Sequence, residues 1–245
     1  MPPEASLSSV RVLEADPDLG AGIESGEWQL ALGMALAPEF AFERGPWDFA
    51  PPPERGGFGA LILEGLILIR IDAGGRSHIE MLGEGDVVSP WAGTGPELSR
   101  PSLVTASVVS RARIALLTRQ FVLRTARWPE IHAALMQRCI ERSRRLSLQS
   151  AVNALPRIEE RVEVTLWELA YRFGRVTPDG IVLDLPISHS QLADIVAAQR
   201  PSVSTAVVRL EDQGRLVRVA RRTWLLHGDP PEMLVSLNRQ SGLEA

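Results

Sequence analysis

Near the end of the chain, an arginine is followed by a row of small hydroxyl side chains. The stretch SHSQLADIVAAQRPSVSTAVVRLEDQG, residues 188–214, contains Arg200, Ser202, Ser204, Thr205 and Arg209. An arginine can hold guanine O6 and N7 in a bidentate pair, and a serine or threonine hydroxyl can bond to any base or to a phosphate. A helix that presents these side chains on one face would therefore suit the major groove of DNA.

The same stretch contains signals for the two helices that would position these side chains. Ser188 and Gln191 form the S-x-x-Q capping box of a helix start. A turn is predicted at Ala197-Ala198, and a second helix begins near Arg200, with Pro201 tolerated in its first turn. Helical spacing predicts buried stripes at Leu192, Ile195 and Val196 on the first helix and at Val203, Val207 and Leu210 on the second. Two short helices joined in this way form a helix-turn-helix.

A pair of short strands is predicted after the second helix. The stretch LVRVARRTWLLH follows Gly214 and turns around Ala220–Arg222, as a β wing would. Together, the cap, turn, polar face and wing favour DNA binding. In that interpretation Arg200, Ser202, Ser204 and Thr205 contact bases, and Arg209, Arg221 and Arg222 hold phosphates. A helical hairpin with a polar outer face is the alternative that periodicity and charge leave open.

Composition excludes several classes of protein. A chain of 245 residues is long enough for two domains with a core in each. The single cysteine, Cys139, excludes an internal disulfide framework and an all-cysteine iron–sulfur or zinc site. The longest apolar stretch, residues 61–71, is too short and too interrupted to span a bilayer, and the N-terminus lacks the pattern of a signal peptide. We therefore expect a cytoplasmic protein without a membrane partner.

The net charge of −4 hides an asymmetry along the chain. The balance is −10 over residues 1–110, +7 over residues 111–161 and +3 over residues 186–227. This split predicts an acidic domain joined to segments that can meet a polyanion. A solvated basic helix explains the charge equally well.

The order of sequence patterns predicts an α+β protein. Apolar runs between Gly/Asp turns indicate an N-terminal double-stranded β-roll, resembling a jelly roll, with its last strands near residues 102–109 and 112–118. Residues 28–40 are a short helix candidate, and residues 174–188 are expected to contain one strand. A helix of about 25 residues starts near Pro129, and its narrow apolar stripe predicts a dimer interface at Ile131, Leu135, Cys139 and Leu146. The predicted domains are an N-terminal extension packing on the roll (1–57), the sensor-like roll (58–118), the long dimerisation helix (119–155), the winged helix-turn-helix (156–228) and a tail (229–245).

The stretch LPISHSQLADIVAAQRPSVSTAVVRLEDQGRL resembles the winged-helix domain of the Crp/Fnr transcription regulators, and the resemblance covers about residues 58–228. It implies a homodimer that binds a palindromic operator in double-stranded DNA, with RNA polymerase as a further partner where transcription is activated. By position, it implies base contacts at Arg200, Pro201, Ser204 and Thr205, and phosphate contacts at Ser188 and Ser190. Ala197 replaces the usual glycine of the turn, at a cost of up to about 1 kcal/mol if its φ is positive. Pro201 and Thr205 replace Glu and Arg, so the operator should differ from the best-known palindromes.

The sensor end departs further from the family. Members that bind cyclic AMP resemble one another in a Gly-Glu pair after a Gly-Asp turn, followed by an arginine with Ser or Thr. Here Ser89-Pro90 stands in place of Gly-Glu, and Arg100 is followed by Pro101. Since a buried phosphate would lack its charge-assisted clamp, cyclic-nucleotide control is not favoured and no cofactor is predicted. Ser89, Trp91 and Arg100 are the candidate pocket for any other effector. A haem form lacks an axial ligand, because no His or Cys lies between His78 and His132.

Three alternatives remain beside the preferred function. They are a cyclic-nucleotide-responsive regulator, a regulator that binds DNA without a small ligand, and a cupin-like metalloenzyme. The last depends on His78 and Glu80, which could begin a metal site on a roll strand. The other histidines (His132, His189 and His227) lie far away in the chain, so no metal site is predicted. The sequence contains no Ser-His-Asp constellation, glycine-rich phosphate loop or paired-carboxylate motif, and no catalytic residue is predicted.

Overall fold

The protein divides into two compact units, and the boundary falls inside one long helix. The first unit runs from Met1 to Arg145 and the second from Leu146 to Ala245. This computed structural model describes residues 8–47, 56–88, 103–220 and 222–235. None of the helices in these ranges is long and apolar enough to cross a membrane.

Antiparallel strands build the first unit, in agreement with the predicted α+β roll. The strands are β1 (Ser8–Arg11), β2 (Leu36–Phe42), β3 (Gly45–Pro46), β4 (Gly59–Glu64), β5 (Ile67–Ala73), β6 (Arg76–Leu82), β7 (Val87–Val88), β8 (Leu103–Val108) and β9 (Ala112–Leu117). One sheet has the order β1-β2-β9-β4-β7, and the other has the order β3-β8-β5-β6. The two strands predicted near residues 102–109 and 112–118 are thus confirmed as β8 and β9.

Strand β4 is buried on both faces, which explains its uninterrupted apolar sequence. Ala60 and Ile62 face a core shared with the second sheet. Leu61 and Leu63 point to the other side, into a core completed by helices. Because successive side chains of a strand alternate between faces, a strand covered on both sides needs apolar residues throughout.

The strands of the roll begin well before residue 58, where the sequence pattern placed the domain boundary. Residues 8–46 contribute β1, β2 and β3, together with helices α1 (Val12–Ala15) and α2 (Trp28–Met34) and a 3₁₀ turn at Pro17–Gly20. Val12 and Leu13 are fully buried, and Arg113 Nε of β9 donates to Glu39 Oε1 of β2 at 2.6 Å. This segment is part of the roll and not an extension packed on it.

The helix predicted over residues 28–40 is only half correct. It ends at Met34, and β2 begins at Leu36. Pro38 explains the change, because proline lacks the backbone N–H that a helix interior requires. In β2, Pro38 lies opposite Ser9 of β1, and the register of the two strands continues through this pair.

Two helices follow β9 and cover the outer face of the first sheet. They are α3 (Arg119–Arg124) and α4 (Pro129–Asn153), and the 25 residues of α4 confirm the predicted long helix. Ile131 and Leu135 are fully buried in the core that contains Leu61, and Cys139 packs half-buried against it. The prediction of a dimer interface at Ile131 and Leu135 is therefore wrong, because these two side chains are buried against the roll of the same chain. The interface at the half-buried Cys139 stays a prediction. Leu146 is 39% exposed.

Three arginines of α4 hold carboxylates of the roll. Arg138 Nη1 lies 2.7 Å from Asp16 Oδ2. Arg142 donates from Nε and Nη2 to the two oxygens of Glu80, at 2.7 and 2.8 Å. The third pair joins Arg145 to Asp86. Part of the positive charge of residues 111–161 is thus neutralised by acids of the first 110 residues.

The second unit contains the predicted helices and a small sheet. Its further elements are α5 (Ile158–Phe173), β10 (Arg175–Thr177), β11 (Gly180–Asp184), α6 (His189–Ile195), α7 (Arg200–Asp212), β12 (Leu216–Ala220) and β13 (Thr223–Leu226). The sheet has the order β10-β11-β13-β12. Residues 174–188 contain two strands where one was predicted. The missed strand β10 is short and its Val176 is 80% exposed, so no apolar alternation marks it.

Candidate nucleic-acid interface

Helix α6 begins with the predicted capping box. Ser188 Oγ accepts from the backbone N–H of Gln191 at 3.2 Å, and Gln191 Oε1 accepts from the backbone N–H of Ser188 at 2.8 Å. These reciprocal bonds satisfy two N–H groups that a helix start leaves without partners. They fix the first turn of α6, on which Ser188 and Ser190 are both exposed.

The turn between α6 and α7 depends on one residue in the left-handed region. Ala197 has a φ of 52° and is the non-glycine residue with positive φ among those described. The backbone N–H of Ala198 then donates to the carbonyl of Ala193 at 2.9 Å. The strain anticipated from alanine in a glycine position is therefore present in the fold, and it allows α7 to start three residues later at Arg200.

Apolar residues anchor α7 and decide which face it exposes. Val203, Val207 and Leu210 are 0–1% exposed, and Leu192, Ile195 and Val196 of the preceding turn and helix are also buried. The predicted apolar stripes of both helices are thus confirmed. At 100° per residue, the face opposite this stripe carries Pro201, Thr205, Val208 and Arg209.

The residues predicted to contact bases are not equally accessible. Arg200 and Thr205 are exposed, whereas Ser202 and Ser204 are half-buried. Ser204 Oγ lies 3.0 Å from Nδ1 of His189, so it is already in a hydrogen bond. Thr205 donates its hydroxyl to the carbonyl of Pro201 at 3.1 Å, which leaves its oxygen as an acceptor and its methyl group free for contact.

The predicted phosphate contacts differ in element and in exposure. Arg209 is 65% exposed and has a loose ion pair, 3.7 Å from Nη1 to Glu159 Oε2. Arg222 is half-buried beside the wing turn. Arg221 lies outside the described residues. Ser188 and Ser190 are thus exposed at the start of α6, Arg209 is exposed on α7, and Arg222 lies at the wing.

The predicted wing is confirmed as the hairpin of β12 and β13. The two strands pair antiparallel, with a register shift between Arg218 and Ala220 that indicates a bulge. Trp224 of β13 is buried, whereas Val217 and Val219 of β12 are 41% and 59% exposed. The wing strand thus presents valines beside α7.

Three side chains of this surface were not predicted from the sequence. Val208 is 52% exposed in the middle of α7, although valine is usually buried. His189 and Arg218 meet at 3.2 Å across the elements α6 and β12. The exposure of Val208 could have been predicted from the sequence, because helical spacing puts it on the same face as Thr205 and Arg209. The contact of His189 with Arg218 joins residues 29 positions apart, and no local pattern predicts it.

The predicted effector pocket lies outside the described residues, because Ser89, Trp91 and Arg100 all fall in residues 89–102. The neighbouring Asp86 is buried. Its Oδ2 accepts from the backbone N–H of Gly83 at 2.9 Å, and its Oδ1 pairs with Arg145. The carboxylate of the Gly-Asp turn therefore holds the long helix.

The pair His78 and Glu80 does not resemble a metal site. In the ranges that the structure describes, no group of three or more His, Cys, Asp or Glu side chains could hold a metal ion. Glu80 is occupied by the two hydrogen bonds from Arg142. Burial lowers the pKa of His78, against the opposing effect of Glu80, so a neutral imidazole is favoured.

Comparison with known proteins agrees with this geometry. Residues 160–232 match the model of the Crp-like helix-turn-helix domain. No curated protein sequence matches the chain.

Solved structures resemble the chain over most of its length. FixK2 from Bradyrhizobium japonicum has a TM-score of 0.59 at 19% identity, covering 85% of this chain and 98% of that one. A cyclic nucleotide-binding domain containing protein from Listeria monocytogenes has a TM-score of 0.65 at 17% identity, covering 86% and 96%. A CooA mutant from Carboxydothermus hydrogenoformans has a TM-score of 0.62 at 18% identity, covering 96% and 97%. These likenesses show the fold, a β-roll followed by a helix-turn-helix.

Proposed function

We propose that this chain, a DNA-binding transcription regulator with a Crp-like helix-turn-helix domain, binds a palindromic operator as a homodimer. The observation that carries the proposal is the orientation of α7. Its buried Val203, Val207 and Leu210 fix the helix on the domain, and this leaves Thr205 and Arg209 on the opposite face, with Arg200 exposed at the start of the helix. A small, rigid, polar helix face of this kind fits the major groove.

Base contacts are assigned to the exposed part of this face. Arg200 supplies a bidentate contact to guanine, and Thr205 supplies an acceptor and a methyl group. Ser202 and Ser204 adjust base choice from the flanks. Val208 joins the set, because its exposed methyl groups suit the C5-methyl of thymine.

Phosphate contacts are assigned to a second set of polar side chains. Ser188, Ser190, Arg209, Arg221 and Arg222 are the proposed set. Contacts to phosphate fix the register of the protein on the duplex but do not select its sequence.

The homodimer is proposed to form through the outer stripe of α4. Met136 and Ile140 lie one helical turn apart and are 53% and 41% exposed. Leu146, which is 39% exposed, lies about 120° around the helix from Ile140 and stays a separate predicted interface residue. Substituting glutamate at both Met136 and Ile140 is expected to give a monomer in sedimentation velocity with an unchanged Tm. Leu123→Glu, at an exposed leucine of α3, is the matched control. A double variant that remains dimeric would place the interface elsewhere.

The effector is proposed not to be cyclic AMP, because Ser89-Pro90 replaces the Gly-Glu pair. We expect cyclic AMP to leave the Tm unchanged in thermal unfolding with a panel of nucleotides. A Tm that rises with cyclic AMP but not with AMP would favour the cyclic-nucleotide-responsive alternative.

A cytoplasmic location and contact with RNA polymerase belong to the same proposal. Run-off transcription from a promoter that carries the operator tests the polymerase contact.

The deciding experiment is selection of bound sequences from a random DNA pool. We expect a two-fold palindrome whose half-sites are about 34 Å apart, one helical turn. Arg200→Ala should abolish the enrichment, and Arg124→Ala, at an exposed arginine of α3, should preserve it. Enrichment of a single half-site would contradict the homodimer. An unchanged palindrome with Arg200→Ala would show that α7 is not the helix that contacts bases.

A further inference from the structure

A groove of about 430 Å³ lies between α7 and the wing strand β12. Its lining includes His189, Ser204, Val208, Glu211, Val217 and Arg218. Valines form its walls, and the imidazole and guanidinium lie together on its surface. The groove is on the flank of α7, beside the outer face that would contact bases, and Val208 borders both.

His189 connects the elements that border this groove. Its Nδ1 lies 3.0 Å from Ser204 Oγ of α7, and its Nε2 lies 3.2 Å from Arg218 Nη2 of β12. A guanidinium can only donate hydrogen bonds, so Nε2 must be the acceptor. Nδ1 therefore carries the proton and donates to Ser204, and the imidazole is neutral in the free protein.

The surroundings of His189 favour this neutral form. Burial lowers the pKa of His189, the nearby Arg218 of β12 and Arg200 of α7 lower it further, and Glu211 of α7 opposes them. Glu211 Oε1 itself lies 3.5 Å from Arg218 Nε. An anion that entered the groove would reverse this balance, because it would attract Arg218 and stabilise an imidazolium.

We propose that His189 is a phosphate contact of the DNA complex and takes up one proton from solvent when a DNA phosphate enters the groove. This inference rests on the proposed function. The sugar-phosphate strand borders the major groove, so a groove on the flank of α7 meets the backbone while the outer face meets bases. In the complex, Arg218 donates to the phosphate instead of to Nε2, and protonated Nε2 donates as well. Val217 then packs against deoxyribose.

Proton uptake makes DNA affinity dependent on pH. The imidazole is neutral in free protein and charged in the complex at any pH between its two pKa values, so affinity rises as the pH falls through that interval. The limiting change is about tenfold per pH unit for each protomer. This behaviour differs from that of an arginine contact, whose charge is constant.

The test is fluorescence anisotropy with a labelled duplex of mixed sequence at constant salt, between pH 6 and pH 8. Wild-type affinity should rise towards pH 6, His189→Gln should lose that rise, and His227→Gln, the control in the same domain, should keep it. Calorimetry of the wild type in Pipes and Tris buffers should show one proton taken up per protomer. An equal pH dependence in wild type and His189→Gln, or no proton uptake, would overturn the proposal. Absence of binding to any duplex at every pH would instead contradict the proposed function.

Discussion

The arginines of α4 and the arginines around α7 carry the same charge in very different surroundings. Arg138, Arg142 and Arg145 have side chains that are 20–27% exposed, and each contacts a carboxylate of the roll. Arg209 and Arg218 are 65% and 44% exposed, and their ion pairs are longer than 3 Å. The first set holds a fold together, whereas the second set remains accessible to a polyanion.

This difference shows what a charge balance along the sequence does and does not indicate. Residues 111–161 have the larger positive balance, and they were one of the two segments predicted to meet a polyanion. Three arginines of this segment, Arg138, Arg142 and Arg145, pair with acids of the same unit, because α4 packs on the most acidic part of the chain. In residues 186–227, Arg209, Arg215 and Arg218 also have acidic partners, but their side chains are 44–65% exposed. Burial of the arginine side chain, and not the number of arginines, separates the two roles.

The largest effect is expected for an arginine of the first set. Arg142→Ala would leave Glu80, whose side chain is 12% exposed, without its two hydrogen bonds. Removing one partner of such a buried pair should lower the free energy of unfolding by about 3 kcal/mol, measured in urea. Arg144→Ala, at an exposed neighbouring position, should change it by less than about 0.5 kcal/mol. Equal stability of the two variants would remove the distinction between the sets.

Arg200→Lys tests the base contact while preserving charge. Lysine cannot provide the planar bidentate pair of a guanidinium. Affinity for the selected operator should fall by about 1–3 kcal/mol, with the loss confined to one base pair of each half-site, and the salt slope should not change. Competition binding with single-base operator variants measures this. A uniform loss over all variants would reassign Arg200 to phosphate.

Arg209→Ala should have a smaller effect that is the same for every sequence. Loss of one phosphate contact lowers the slope of log K against log salt by about 0.9 for each protomer. Glu159→Gln should act in the opposite direction, because it releases Arg209 from its ion pair. Anisotropy titrations at several salt concentrations compare the two variants. A sequence-dependent loss in Arg209→Ala would show that this arginine contacts a base.

Local signals in the sequence were sufficient for the helix-turn-helix. Each signal depends only on residues that are close together in the sequence, so one sequence is enough to recognise it. The signals are the capping box at Ser188, the turn at Ala197 and the valine stripe from Val203. The structure confirms each of them at the expected position.

Long-range partners were not predictable in the same way. The stripe of Ile131 and Leu135 indicates that something covers α4, but periodicity does not distinguish a second chain from β4 of the same chain. The pairing of Arg142 with Glu80 and of His189 with Arg218 depends on strand packing across distant positions. Exposed strands such as β10 are missed in prediction from the sequence, because no alternation of apolar and polar residues marks them.

The smallest expected effect concerns an arginine of the winged-helix unit that resembles the first set. Arg215 pairs with Glu163, whose side chain is 8% exposed, and burial raises the pKa of Glu163 more than Arg215 lowers it. A raised carboxyl pKa means that the fold favours the neutral acid, so this contribution to stability is complete below the unfolded pKa, near 4.5, and is lost as pH rises through the folded pKa. Glu163→Gln is always neutral. The free energy of unfolding of wild type, measured in urea, should therefore fall relative to that of Glu163→Gln as the pH rises from 5 to 7. A difference that does not vary with pH would mean that the Arg215 ion pair balances burial, and Arg215 would then belong fully with the arginines of α4.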